Sequence, residues 1–284
     1  MFTWSDCLDD GYVATLIYQY SAALCFLLGT PALVWCLWIS LRESISGGLT
    51  PTQIFPINLF IVEVVFCVQG LCRVIYYSFI HNNIVLNQLL YALFLIAWIC
   101  RPVFQSCICV ERYMAVVQPV AFIKYRLRRY RMGTSTLIWG LTIIDACFRI
   151  QSLDNQSKTN YELVSVYCLG LVVISLCCFF ILRVLKQPGP GEVEGGRGGE
   201  KKQGTTDPQK MRAFRIVLTN LVIILVSSIS VVVGYTSLSF TSMDFYRNTF
   251  PMLLACNMLS VVASPVLHLY REGRLHCRKG PETH

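Results

Sequence analysis

Glu63, Arg73, Arg101, Asp145 and Arg149 stand inside otherwise apolar stretches, and Glu111-Arg112-Tyr113 closes one of those stretches. A charge in such surroundings costs free energy unless it is paired, so each of these residues marks an interaction rather than a solvated face. Between Leu89 and Val110 the one ionisable side chain other than Cys and Tyr is Arg101, and Arg112 follows it by 11 residues. On a helix that spacing puts both arginines on nearly the same face, roughly 16 Å apart along the axis. The chemistry open to such residues is charge pairing, ion binding or the docking of a charged partner. Catalysis is not expected, because His81, His268, His276 and His284 have neither metal-ligand nor triad spacing. The 14 cysteines contain no C-x-x-C pair and read as small buried apolar residues. The chain is thus expected to be no enzyme, with no cofactor, no metal and no nucleic-acid partner.

The elements that must position these side chains follow from composition. With 55% hydrophobic and 14% charged residues over 284 positions, the chain is too apolar for an ordinary soluble domain, and a polytopic membrane protein in contact with the lipid bilayer is expected. Apolar runs predict helices over residues 12–39, 54–80, 89–119, 132–148, 163–185, 216–238 and 250–270. The fold class expected is therefore all-α, a seven-transmembrane helix bundle. The acidic start lacks the cations of a cleavable signal peptide, so the first helix reads as an uncleaved anchor. Placing the amino terminus outside puts 19 of the 24 lysines and arginines on the cytoplasmic side. The resulting organisation is an extracellular amino terminus over 1–11, a bundle over 12–270, a flexible third inner loop at 187–209 and a cytoplasmic tail over 271–284. That loop is Gly- and Pro-rich but lacks the G-x-x-x-x-G-K-[ST] spacing of a phosphate cradle. Asn155-Gln156-Ser157, a glycosylation acceptor, falls in the outer loop expected at 150–162. Cys277, among Arg274, Arg278 and Lys279, suits palmitoylation.

Counting from the inner ends of their helices, Glu63 and Arg101 both lie about 15 Å deep and can meet as an ion pair near the bilayer midplane. Pro102 is expected to perturb the helix beside them. Asp145 and Arg149 are four residues apart and can pair with each other. Arg73, Tyr77, Phe94, Trp98, Asp145 and Arg149 occupy outer halves of helices and form the candidate ligand pocket, with Arg73 favouring an anionic or lipidic ligand.

Seven spans with an outside amino terminus and Glu111-Arg112-Tyr113 at the inner end of the third resemble the rhodopsin-like (class A) G protein-coupled receptors. The resemblance covers nearly the whole chain. It is strongest over Val110–Pro119, which looks like the D/E-R-Y motif and the second-loop proline. Trp139 resembles the fourth-span tryptophan, and Asn58-Leu59 with Glu63 resembles the second-span pattern with glutamate for aspartate. Ser264, Pro265 and His268 fall where the family has N-P-x-x-Y, and Leu33 stands for the first-span asparagine. The resemblance implies that Arg112 couples to a heterotrimeric G protein, with Glu111 as its resting partner. It also implies that Glu63 holds the place of a sodium-binding acid, where Arg101 would supply a fixed cation instead. The departures are as specific as the matches. Asn87 replaces the cysteine of the outer disulfide, and Ser230 stands where the sixth span would carry its bend proline, leaving Lys210 near Arg112 at the inner end. The function expected is a plasma-membrane receptor, divergent and with the option of constitutive activity, that passes an extracellular ligand's signal to a G protein. The alternatives are a small transporter or channel using Glu63, Arg101 and Asp145, and a non-signalling decoy or scaffold.

Overall fold

The computed structural model describes residues 12–47, 51–80, 83–125, 127–151, 156–186, 225–234, 255–258, 260–263 and 265. Among them every regular element is helical. The chain enters through α1 (Tyr12–Leu24), a π-helical turn at Cys25–Gly29 and α2 (Thr30–Gly47), which together make one rod. The π turn lies just ahead of Pro31, whose ring would clash with a carbonyl one turn back in a regular helix. Next come α3 (Ile54–Ile75), extended by a π turn over Tyr76–Ile80, and α4 (Ile84–Val117). The short α5 (Pro119–Tyr125) is followed by α6 (Arg128–Gln151), α7 (Gln156–Lys186) and α8 (Leu225–Gly234).

Several helices run past the apolar stretches that announced them. Helix α4 begins at Ile84, where the side chain of Asn83 accepts a hydrogen bond from the Leu86 N–H at 3.1 Å and satisfies one of the free donors of the first turn. It ends at Gln118, which takes φ −131° ahead of Pro119; proline disfavours the helical conformation in the residue before it and then opens α5 at its first position. Helix α7 begins at Gln156, so the outer loop expected over 150–162 is shorter than hydropathy indicated. Backbone hydrogen bonding continues a helix beyond its apolar residues, and hydropathy alone does not see where it stops. Pro102 does not interrupt α4, and its carbonyl accepts a hydrogen bond from the Ser106 hydroxyl at 2.8 Å.

Four described stretches are long and apolar enough to cross a bilayer: Leu16–Arg42, Pro51–Ile80, Ile84–Val117 and Val164–Val184. Helix α6 adds 24 residues, about 36 Å of rod, with an arginine-rich first turn. Helix α4 is the axis of the packing, touching α3, α6 and α7, while α1 and α2 cover α3. Among the described residues a mostly apolar core holds a few buried charges, Glu63, Arg73 and Arg101, while large apolar side chains also face outward, Trp35 and Trp38 being 58% and 61% exposed. Apolar surface of that extent, over helices that satisfy their own backbone groups, is suited to lipid.

Candidate functional site

The buried charges converge on α4. Arg101 is 4% exposed and its Nε lies 3.8 Å from Oε1 of Glu63, which is wholly buried on α3. That separation is an ion pair rather than a hydrogen bond. The two terminal nitrogens of the guanidinium reach elsewhere: Nη1 donates to Oδ1 of Asn257, and Nη2 donates to the Ser260 hydroxyl at 2.6 Å. The same hydroxyl donates to the Asn257 carbonyl at 2.6 Å. The guanidinium also stands 5.5 Å from the centre of the Phe66 ring. One arginine therefore joins three chain segments, through an acid on α3 and two neutral acceptors in the helical residues near 260. Sequence reasoning missed Asn257 and Ser260. Their three-residue spacing inside an apolar run was the available signal, since it places two polar groups on one helix face.

A second cluster lies nearer the amino-terminal end of α4. Arg73 is 2% exposed, with its guanidinium 5.2 Å from the centre of the Phe94 ring. Phe94 and Trp98 have ring centres 4.8 Å apart, and Trp98 also meets Tyr167 at 5.5 Å and Phe66 at 6.1 Å. Arg73, Phe94 and Trp98 are thus neighbours, with Trp98 packed inside the bundle core. Tyr77 packs edge-on against Tyr76. Asp145 and Arg149 form an ion pair within α6 at 2.7 Å.

At the other end of α4, Glu111 pairs with Arg131 of α6 at 3.2 Å and not with Arg112, the partner anticipated from the sequence. Neighbouring residues on a helix point about 100° apart, so Glu111 meets a helix packed beside it more easily than it meets the next side chain. Arg112 is half-buried and holds no acidic partner among the described residues. Tyr113 packs edge-on against Phe180 of α7. The motif residues Asn58 and Trp139 also come together: the indole N–H donates to Asn58 Oδ1 at 2.9 Å, tying α6 to α3. Leu33 is fully buried, and Pro265 accepts a hydrogen bond from Cys36 through its carbonyl at 3.7 Å. Ser230 donates back to the Val226 carbonyl at 2.7 Å within α8. Asn155, Lys210, Ser264, His268 and Cys277 lie outside the described residues.

No family model matches the chain. It is 28% identical over 157 residues to a purinoceptor of Gallus gallus, covering 54% of this chain and 35% of that protein. It is 25% identical over 174 residues to the platelet-activating factor receptor of Mus musculus, covering 55% of this chain and 51% of that protein. It is 26% identical over 198 residues to G-protein coupled receptor 68 of Bos taurus, covering 61% of this chain and 51% of that protein. The chain thus spans between about a third and about a half of the length of the curated relatives it matches. All three are class A receptors, and in each the similarity is low and partial. By its sequence this membrane protein is similar, at low identity and over part of its length, to class A, rhodopsin-like G protein-coupled receptors.

Proposed function

We propose that the chain is a seven-span receptor of the plasma membrane, amino terminus outside, that transmits an extracellular signal to a heterotrimeric G protein through Glu111, Arg112 and Tyr113. The observation that carries this reading is the position of that triplet, at the end of the long α4 in a chain similar to three receptors. Arg112, without an acidic partner among the described residues, is the cation offered to the transducer. Glu63 and Arg101 form the intramembrane ion pair, and Arg101 stands in for the sodium ion that the family resemblance implies. The site does not suit a resident sodium ion, because the oxygens of Asn257 and Ser260 that face the pair already accept hydrogen bonds from the guanidinium. A polar transport path has less support: Glu63 faces Arg101, and Asp145 is engaged by Arg149. For the ligand, Arg73 beside Phe94 and Trp98 favours an anionic or lipidic molecule entering among Arg73, Tyr77, Phe94, Trp98, Asp145 and Arg149. The seventh-span residues Ser264, Pro265 and His268 act in the same bundle, and the tail is held to the bilayer by a palmitoyl group on Cys277.

Nucleotide exchange on a panel of purified G proteins, with the protein in lipid nanodiscs and no ligand added, tests the reading. Exchange that rises with wild-type protein and is lost in Arg112→Ala supports it. Exchange equal in wild type and Arg112→Ala would remove Arg112 from the coupling role and favour the scaffold alternative.

A further inference from the structure

The pairing of Glu111 with Arg131 bears on how the inner end is set at rest. Arg131 sits in the first turn of α6, is 5% exposed and places its guanidinium 5.7 Å from the centre of the Phe122 ring of α5. Helix α5 follows α4 through Gln118 alone, whose N–H donates to the Met114 carbonyl of α4 at 3.0 Å and whose carbonyl accepts from the Phe122 N–H of α5 at 3.0 Å. Glu111 is itself 12% exposed, so water competes weakly for either member of the pair. Arg131 therefore joins the acid beside Arg112 to the loop helix that follows it. The remaining cation of the triplet, Arg112, keeps no carboxylate among the described residues.

We propose that Arg131 is a positioning residue that raises ligand-independent coupling, by holding Glu111 on α6 so that Glu111 cannot hold Arg112. The inference rests on the G protein-coupling reading of Arg112. Two arginines compete for one carboxylate, and the packing of α6 against α4 decides the competition. Removing the Arg131 charge leaves Glu111 with Arg112 as the cation next along α4, and an Arg112 engaged that way is withdrawn from a partner arriving from the cytoplasm. The aromatic contact with Phe122 adds a second effect, since it fixes the loop helix in the arrangement in which Glu111 is taken.

Two measurements on the full chain decide it. In the first, ligand-free nucleotide exchange per molecule of folded protein is compared among wild type, Arg131→Lys, Arg131→Gln and the Glu111→Gln/Arg131→Gln double variant. Arg131→Gln is expected to lower exchange by about fivefold or more, the lower end of coupling between two arrangements. Arg131→Lys should retain most of the wild-type rate, and the double variant should regain much of what Arg131→Gln lost, because a neutral residue 111 no longer traps Arg112. A role for Arg131 confined to folding would lower the yield and leave the rate per folded molecule unchanged. In the second, double-variant cycles on unfolding in detergent compare the Glu111–Arg131 pair with the Glu111–Arg112 pair. Coupling confined to Glu111–Arg131 supports the proposal; equal or greater coupling for Glu111–Arg112 overturns it whatever the exchange assay shows. Wild type silent on every G protein without ligand overturns the proposed ligand-independent coupling, and with it the role of Arg131, while leaving a strictly ligand-dependent receptor standing. An active wild type with an unchanged Arg131→Gln, or a double variant no better than the single one, overturns the role of Arg131.

Discussion

The clamp around Arg101 yields a prediction whose size follows from the geometry. At 3.8 Å, and with an effective dielectric constant of ~20, the attraction between Arg101 and Glu63 is about 4 kcal/mol. Arg101 also makes two hydrogen bonds to neutral acceptors, Asn257 and Ser260, and bonds from a charged donor contribute roughly 2 kcal/mol each. Glu63→Gln leaves those two bonds in place but strands a buried cation, so a loss of about 3 kcal/mol is expected, the lower end of the range for breaking a buried pair. Arg101→Gln strands the wholly buried carboxylate and removes the charged donor as well, so the loss should be about 5 kcal/mol, the upper end of that range. In the double variant no buried charge remains at the pair, and the loss falls to about 4 kcal/mol, close to that of the two bonds alone. The three losses imply a coupling of about 4 kcal/mol, matching the direct attraction. Equilibrium unfolding of the detergent-purified protein in rising sodium dodecyl sulfate measures each loss, and cell-surface expression should rank the variants in the same order. Losses that add, about 8 kcal/mol for the double variant, would show that the two charges do not interact and would refute the account. Replacing sodium by potassium in the medium should change neither stability nor basal exchange, because the guanidinium already neutralises Glu63; strong sodium dependence would refute the substitution of one cation for another.

Further predictions concern packing and topology. A Cβ added at Gly170 would lie 3.4 Å from Pro102 Cβ and from the Ser106 hydroxyl, so Gly170→Ala should be nearly neutral while Gly170→Leu forces α4 and α7 apart at a loss of about 1–3 kcal/mol in the same unfolding assay. Trp139→Phe removes the donor to Asn58 and should lower stability by about 1 kcal/mol or somewhat more, whereas in an Asn58→Ala background it should have a smaller effect; equal effects in both would show that the 2.9 Å contact contributes nothing. With the amino terminus outside, glycosidase should shift the wild-type band and not that of Asn155→Gln, and an unshifted wild type would count against the orientation.

The membrane class was legible in the residues because it depends on composition and run length, which packing does not alter. That Glu63 and Arg101 lie level with each other was legible for a related reason: at a fixed rise per residue, distance from the helix end converts into position along the helix, and the two side chains approach to 3.8 Å. Helix-internal partners were open to the same arithmetic, as with Asp145 and Arg149, which stand one turn apart and pair. Partners on other helices were not. Asn257 and Ser260 are 156 and 159 residues from Arg101, and no periodicity within either segment states which faces will meet. For Glu111 the sequence offered its neighbour Arg112, but the packing of α6 on α4 brings Arg131 to 3.2 Å. The difference is physical: local geometry is set by backbone repeat and hydrogen bonding, which each stretch of chain carries alone, whereas the choice between two arginines for one carboxylate depends on the rotation and crossing of packed helices. Only the tertiary structure contains those.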